Sequence, residues 1–381
     1  MKTPDSASLL VAGVHQSSDA YPNTLYRVRY LRDRLGAHEV NRPMWSAPAA
    51  GWKSARSPLR ALRRAIPSHL QVAWAVMRGP RFGCLYIPYP APPVAWLLSL
   101  LPRRSRRVVL DGFISLYDTV INDRKLWSPA ALPSRLLYAL ERRAFARADL
   151  VLVDTPQNAA FYAGLFRLPP ERFFALPLAT NEDDYAPAPY RPLAGRCRVL
   201  FIGTLVPLHG IGTLAEAARR LASRRDIEFR ILGDGAGAPV LQSGIAGLSN
   251  VTWKRRWHTA GELACEIREA DICLGIFGDT DKTQRVCPYK LYSYASVGRA
   301  TITGDTQWLR SVAAPDGSLP FRGVSVHDAA ALADAIRRLA DAPEERVRLA
   351  DAARRFYAGH LSNAASMQAL ERALFAEPGS P

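Results

Sequence analysis

Glycine, an imidazole and two cationic side chains stand where short apolar runs end in the second half of the chain. That combination suits an anion. Residues 201–213 read Phe-Ile-Gly-Thr-Leu-Val-Pro-Leu-His-Gly-Ile-Gly-Thr. Gly203, directly after the apolar run, lets the backbone approach a ligand, with Thr204 beside it. A helix expected after Gly210 offers unpaired N–H groups and partial positive charge at its start, which favours phosphate. His209 stands just before that start, within reach of a diphosphate. The spacing is neither G-x-G-x-x-G nor a P-loop, which weakens a simple dinucleotide or ATP reading. A structural turn would use the same glycines. The next loop, Leu232-Gly-Asp-Gly-Ala-Gly237, offers Gly233, Asp234 and Gly235 to a ligand, or forms a plain strand-to-helix turn.

The third loop, residues 282–298, reads Lys-Thr-Gln-Arg-Val-Cys-Pro-Tyr-Lys-Leu-Tyr-Ser-Tyr-Ala-Ser-Val-Gly. A helix is expected from Tyr289, with Pro288 beside its first turn. Arg285 and Lys290 bring positive charge to that start, against the dipole preference. A bound phosphate would compensate; a solvent-facing Lys290 would need none. In the first half the polar residues at expected strand ends are Gly13, His15 and Gln16, then Asp111, followed by Asp118, Asp123, Arg124 and Lys125. An aspartate after a strand is more often a cap or turn residue than a base.

These loops need strands and helices to hold them. Short apolar runs alternate with helical periods, the pattern of a βαβ parallel sheet. In the first half, strands are expected over 8–12, 84–88, 107–110, 149–153 and 173–178. Helices are expected from Leu25 to Leu35, where Leu25, Val28, Leu31 and Leu35 share a face, and over 133–148. Residues 181–192 are acidic and proline-rich and read as a linker. In the second half, strands are expected over 198–202, 228–232, 251–253, 272–277, 300–303 and 323–326. Helices fall at 212–223, 260–269, 289–297, 329–339, 344–361 and 362–375. The fold class is therefore α/β: two Rossmann-like, doubly wound domains, 1–185 and 186–359, facing a cleft. A C-terminal helix at about 360–381 packs back on the first domain. Ligands of such sheets bind beyond the carboxyl ends of the strands.

The chain has 381 residues, 48% hydrophobic and 22% charged, ordinary for a globular protein. Its 50 Lys and Arg against 34 Asp and Glu give +16. Residues 1–185 hold 25 basic and 14 acidic residues, so +11 of that excess. This points to an anionic partner, although an arginine bias of the whole chain would also produce it. The five cysteines show no paired or metal-ligand spacing, which predicts neither disulfides nor zinc. No signal peptide is recognised, and the most apolar stretch, 93–101, is far below the ~20 residues of a bilayer span. A cytoplasmic protein is expected.

The motifs together resemble glycosyltransferase family 4, retaining nucleotide-sugar transferases of the GT-B fold. Phe201-Ile-Gly-Thr-Leu, then Leu208-His-Gly-Ile, is similar to the family's diphosphate loop, in the form of a bacterial subgroup. Leu232-Gly-Asp-Gly is its second motif. Residues 285–305 resemble the subgroup's Pro-Asn-Lys segment and the strand after it. Residues 148–153 and 176–181 resemble the stretch that joins the two domains. The family's glutamate pair, with seven residues between, falls on Arg285 and Ser293. The arginine and lysine of its diphosphate loop fall on Thr204 and His209. A histidine common after a first-domain strand would fall near Tyr89-Pro90 and is absent.

The resemblance implies transfer of a sugar from a nucleotide diphosphate-sugar with retention, in bacterial envelope or exopolysaccharide synthesis. The donor sits on the second domain, held by Gly203, Thr204, Gly210, Gly233, Asp234, Gly235, Leu291 and Ser293. Lys290, Arg285 and His209 stabilise the leaving diphosphate, without a metal or other cofactor. Asp111, Gly13 and His15 face the sugar or the acceptor, a saccharide or a polyprenyl-diphosphate-linked one. Lys53, Arg56, Arg60, Arg63 and Arg64 alternate with Trp52, Leu59, Leu62 and Ile66 at helical spacing, which suits an anionic membrane surface. Arg103, Arg104, Arg106 and Arg107 form a second basic cluster. A peripheral place on the inner face of the cell membrane is expected, and no nucleic-acid partner. The alternative is a GT-B module that has lost transfer and binds nucleotide, lipid or another anionic partner.

Overall fold

The computed structural model describes residues 9–18, 21–43, 58–192 and 195–375, with backbone only for 58–64. Lys53 and Arg56 lie outside the described residues, as do the side chains of Arg60, Arg63 and Arg64. The chain divides into two compact units, 1–180 with 363–381, and 181–362.

The first unit is built on β1 (Leu9–Gly13), β2 (His38–Asn41), β3 (Phe82–Ile87), β4 (Ser105–Asp111), β5 (Leu150–Val153) and β6 (Phe173–Ala175), all parallel in the order β2-β1-β3-β4-β5-β6. Every residue of β1 and β5 is buried, as expected for strands covered on both faces. Helices α1 (Pro22–Leu35), α2 (Pro58–Arg78), α3 (Pro92–Leu98), α4 (Leu132–Arg147) and α5 (Pro156–Phe166) connect them. One face packs Val72, Val94, Phe145 and Phe166 of α2 to α5 against Leu10, Leu85 and Val151. The other packs Val28 and Leu31 of α1 against Leu9, Val11 and Val109. The strand β2 has no counterpart in the sequence reading. It is four residues long, has one apolar side chain and lies at the sheet edge.

The second unit carries β7 (Cys197–Ile202), β8 (Ile227–Leu232), β9 (Val251–Lys254), β10 (Ile272–Leu274), β11 (Ala300–Gly304) and β12 (Arg322–Val324), parallel in the order β12-β11-β10-β7-β8-β9. Its helices are α6 (Ile211–Arg220), α7 (Ala238–Gly244), α8 (Ala260–Glu269), α9 (Asp281–Arg285), α10 (Tyr289–Val297), α11 (Gln307–Ser311), α12 (Ala329–Asp341) and α13 (Pro343–Phe356). Leu214, Leu241 and Ile336 of α6, α7 and α12 cover one face. The strand expected over 272–277 stops at Leu274, where Gly275 passes close to Thr303 of β11.

The segment after Thr180 is part of the second unit. The Tyr190 hydroxyl donates to Asp271 and accepts from Arg346 Nε at 2.7 Å, and the buried Arg299 guanidinium stacks on its ring. The last helix, α14 (Asn363–Phe375), is part of the first unit. Asn363 bonds both backbone groups of Thr180, and Met367 and Leu370 enter the α1-side core.

Candidate functional site

Three elements of the second unit converge on Gly203, the residue after β7. A β-carbon on Gly203 would lie 2.7 Å from His209 Cε1 and 3.1 Å from Lys290 Nζ. Glycine is therefore required for these two side chains to meet under the strand end. His209 closes a short turn, Pro207–His209, and its backbone carbonyl accepts from Phe277 N. Its ring meets Phe201 edge-on, with centroids 5.5 Å apart. Burial, with the nearby Lys290 charge second, holds the imidazole well below its usual range, so it is neutral at pH 7. Its Nδ1 is buried without a hydrogen-bond partner among the described residues.

Lys290 is the second residue of α10 and points inward. Its Nζ lies 3.8 Å from the centroid of the Phe201 ring and donates to Gly275 O at 3.3 Å. Only burial acts on its titration, pulling it well below the ordinary lysine range. A partner carboxylate would oppose that shift, and none among the described residues does so. Lys290 is thus a buried amine, which decides against the solvent-facing alternative.

The second glycine loop has a structural role. Gly233 sits at φ +120°, and a β-carbon there would be 2.0 Å from Gly203 O. At Gly235 it would be 1.8 Å from Thr204 O. The two loops touch backbone to backbone, which no side chain permits. Asp234 accepts from Gly235 N and pairs with Arg255, so its carboxylate is engaged. Gly210 (φ +64°) caps α6 and presses on the Phe277–Gly278 backbone. A cavity of about 380 Å³ opens there, lined by Gly210, Ile211, Gly212, Gly278, Asp279 and His327. Gly233→Ala is expected to cost roughly 2–4 kcal/mol, from strained φ and collision. Gly212→Ala, where a β-carbon meets nothing within 4 Å, should be neutral. Equal melting temperatures for the two variants would refute this packing.

Other residues read from the sequence are placed elsewhere. Arg285 ends the preceding helix α9, and its Nε bonds Asp281 at 3.0 Å. Leu291 is a core residue whose Cδ2 lies 3.2 Å from the position of a β-carbon on Gly275. The Ser293 hydroxyl is hydrogen-bonded to Tyr185. Burial raises Tyr185 to about 12, and its carbonyl accepts from Ser296 Oγ. The sequence reading did not single out Tyr185. It is one of two aromatic residues, with Tyr190, in the acidic stretch 181–192, a signal that could have marked it.

In the first unit the candidates form two separate clusters. His15 is fully buried, with Nε2 3.2 Å from Glu39 of β2, and its backbone is bonded both ways to the Asn41 side chain. Gly13 lies against it, since a β-carbon there would be 2.9 Å from His15 Nδ1. Asp111 Oδ2 accepts from Arg27 at 2.8 Å and Tyr86 at 3.0 Å, and Oδ1 accepts from Phe113 N. Arg27 also donates to Pro177 O. Asp111 is an anchor in the core. The second basic cluster is partly spent as well: Arg103 pairs with Asp149, and Arg104 donates to Gly79 O. Among the described residues no three His, Cys, Asp or Glu side chains are grouped to hold a metal, and no helix is long and apolar enough to cross a membrane.

Two parallel six-stranded sheets with flanking helices match the fold of solved GT-B glycosyltransferase structures. Residues 196–342 match the family model described as Glycosyl transferases group 1. No curated protein matches the sequence significantly. Among solved structures, sucrose-phosphate synthase from Thermosynechococcus elongatus aligns with a TM-score of 0.68 at 17% identity, over 97% of this chain and 99% of that one. HepE of Anabaena, solved with UDP-glucose, gives 0.67 at 14%, over 96% and 99%. WaaG, a glycosyltransferase involved in lipopolysaccharide biosynthesis, gives 0.62 at 12%, over 97% and 100%. At such identities the likeness is one of fold.

Proposed function

We propose that the chain transfers a sugar from a nucleotide diphosphate-sugar to an acceptor, with retention at the anomeric carbon. The observation that carries this is Lys290, a buried amine with no carboxylate partner among the described residues, set with Gly203 and the neutral His209 at the end of β7. A diphosphate there gains the ammonium charge in a dry site, where it counts most. As the bond from anomeric carbon to diphosphate oxygen breaks, negative charge grows on the leaving oxygens, and Lys290 stabilises it. The buried His209 donates from one ring nitrogen and leaves the other as acceptor. No metal is needed for that task. Arg285 adds longer-range positive charge, reduced by its bond to Asp281. The family match over 196–342 and the UDP-glucose bound by HepE support a UDP-sugar or related donor.

The acceptor is a saccharide or a polyprenyl-diphosphate-linked saccharide, and the product an envelope or exported polysaccharide. The role printed for WaaG supports that direction. The protein works on the cytoplasmic side, peripheral to an anionic membrane surface.

A thermal-shift panel of UDP-, GDP- and related sugars tests the donor reading. A true donor at a hundred times its Kd should stabilise the protein by about 2.7 kcal/mol. No response to any of them would overturn it. A second reading, a GT-B module that binds nucleotide without efficient transfer, is favoured by one observation. Ser293, at the position implied to meet the donor ribose, is bonded to Tyr185. Donor binding without turnover on any lipid-linked acceptor would select that reading.

A further inference from the structure

Large apolar side chains are exposed in one region of the first unit. Among the described residues all of them except Val240 and Trp257 lie between 66 and 136. Ile66, Leu70 and Trp74 repeat every four residues along α2, while Val72, Ala73 and Val76 of the same helix face the core. Trp127, Leu132 and Leu136 lie in and just before the first turns of α4. These six side chains are between 49% and 66% exposed. Helix α3 packs against both α2 and α4, so the three form one layer over the sheet. A helix that is apolar on its outward as well as its inward face lacks a cover that water does not provide.

The charge on this layer names the cover. Among the residues whose side chains are described, helices α2, α3 and α4 carry five arginines, Arg78, Arg135, Arg142, Arg143 and Arg147, and a single acid, Glu141. Glu141 is fully buried and accepts from Ser115 Oγ and the backbone N–H groups of Leu116 and Tyr117, so it adds no charge to the surface. Between Glu39 and Asp111 there are twelve Arg or Lys and no Asp or Glu. The Arg78 guanidinium stands 4.6 Å from the Trp74 ring centroid, an apolar face joined to a cation. Trp beside Arg on an apolar stripe is suited to a headgroup boundary. Nucleic acid would use the charge but leave Ile66, Leu70 and Leu136 in water.

We propose that the outward face of α2, α3 and α4 docks on an anionic lipid bilayer, with Ile66, Leu70 and Trp74 inserted at the headgroup level. This rests on the membrane contact proposed above and extends it beyond the Lys53–Arg64 segment, along the exposed side of α2 that continues it to Trp74 and onto α4. Insertion is driven by apolar burial, and the arginines select anionic lipid. The donor site in the second unit plays no part in it.

The test is co-sedimentation of the full chain with vesicles of equal parts phosphatidylcholine and phosphatidylglycerol, against phosphatidylcholine alone. The unaltered protein should pellet with the first and only weakly with the second. The combined variant Ile66→Ser, Leu70→Ser and Trp74→Ser should lose about tenfold or more in partition, since three apolar side chains no longer gain by leaving water. Its melting temperature and donor response should stay unchanged, because these side chains are exposed. An unaltered protein that ignores both vesicles overturns the membrane contact itself. A variant that pellets as well as its parent overturns this face alone. A dimer in solution that the variant abolishes, with no vesicle binding, would make a second copy the occupant and overturn the lipid assignment.

Discussion

Lys290→Met is expected to raise the melting temperature of the ligand-free protein while removing its response to nucleotide-sugars. The amine is buried, stacked on Phe201 and bonded to one carbonyl, and burial alone pulls its pKa well below the lysine range. Unfolded, the same lysine titrates near its ordinary value. Between the two pKa values the unfolded chain holds the proton and the folded chain does not. Stability from this group therefore rises with pH across that window, and the full penalty applies below the folded-state value. Methionine of similar length removes the penalty, a gain of about 1–3 kcal/mol. A diphosphate has the opposite effect on the native lysine. Its charge restores the proton, so binding takes up a proton and weakens as pH rises. Loss of the ammonium should cost on the order of 100-fold in transfer. Melting scans against pH with and without donor, and calorimetry in two buffers, read all of these. A destabilised variant that binds donor normally would reject both the burial argument and the phosphate role.

Asp111→Ala should destabilise the first unit by about 3–5 kcal/mol, because it leaves Arg27 buried without its counter-charge. That corresponds to a fall in melting temperature of roughly 10 °C. The Tyr86 hydroxyl and the Phe113 N–H lose their acceptor in the same change. The double variant Arg27→Met with Asp111→Leu should recover most of the loss, since neither charge remains to be satisfied. This outcome separates an anchor from a base. Normal stability with abolished transfer in Asp111→Asn would instead put Asp111 in the chemistry.

The pattern of elements was largely legible. Helix α8 runs over 260–269 as its periodicity indicates, opened by a capping box in which Thr259 and Glu262 bond reciprocally. Helix α10 starts at Tyr289 after Pro288 and ends at Gly298 with φ +79°. Other elements were missed. Helix α5 is preceded by Thr155-Pro156, and the Thr155 hydroxyl accepts from Asn158 N, a start signal that was present and unread. Helices α7 and α11 are seven and five residues long, too short for a helical period to show. The edge strand β2, His-Glu-Val-Asn, has too few apolar residues to alternate.

The sequence by itself determined two parallel sheets and the glycine-rich turns at their strand ends, because strand periodicity and backbone freedom are local properties. It also determined where the basic excess lies. Only the tertiary structure decided what each polar side chain does. Lys290 became a buried amine because Phe201, His209 and Gly275 close around it from three elements. Asp111 became an anchor because its counter-charge, Arg27, comes from 84 residues away. Ser293 met Tyr185 because the segment after Thr180 folds onto α10. The physical reason is the same in each case. Desolvation and partner charge depend on what long-range packing brings within a few ångströms, and spacing along the chain does not carry that information.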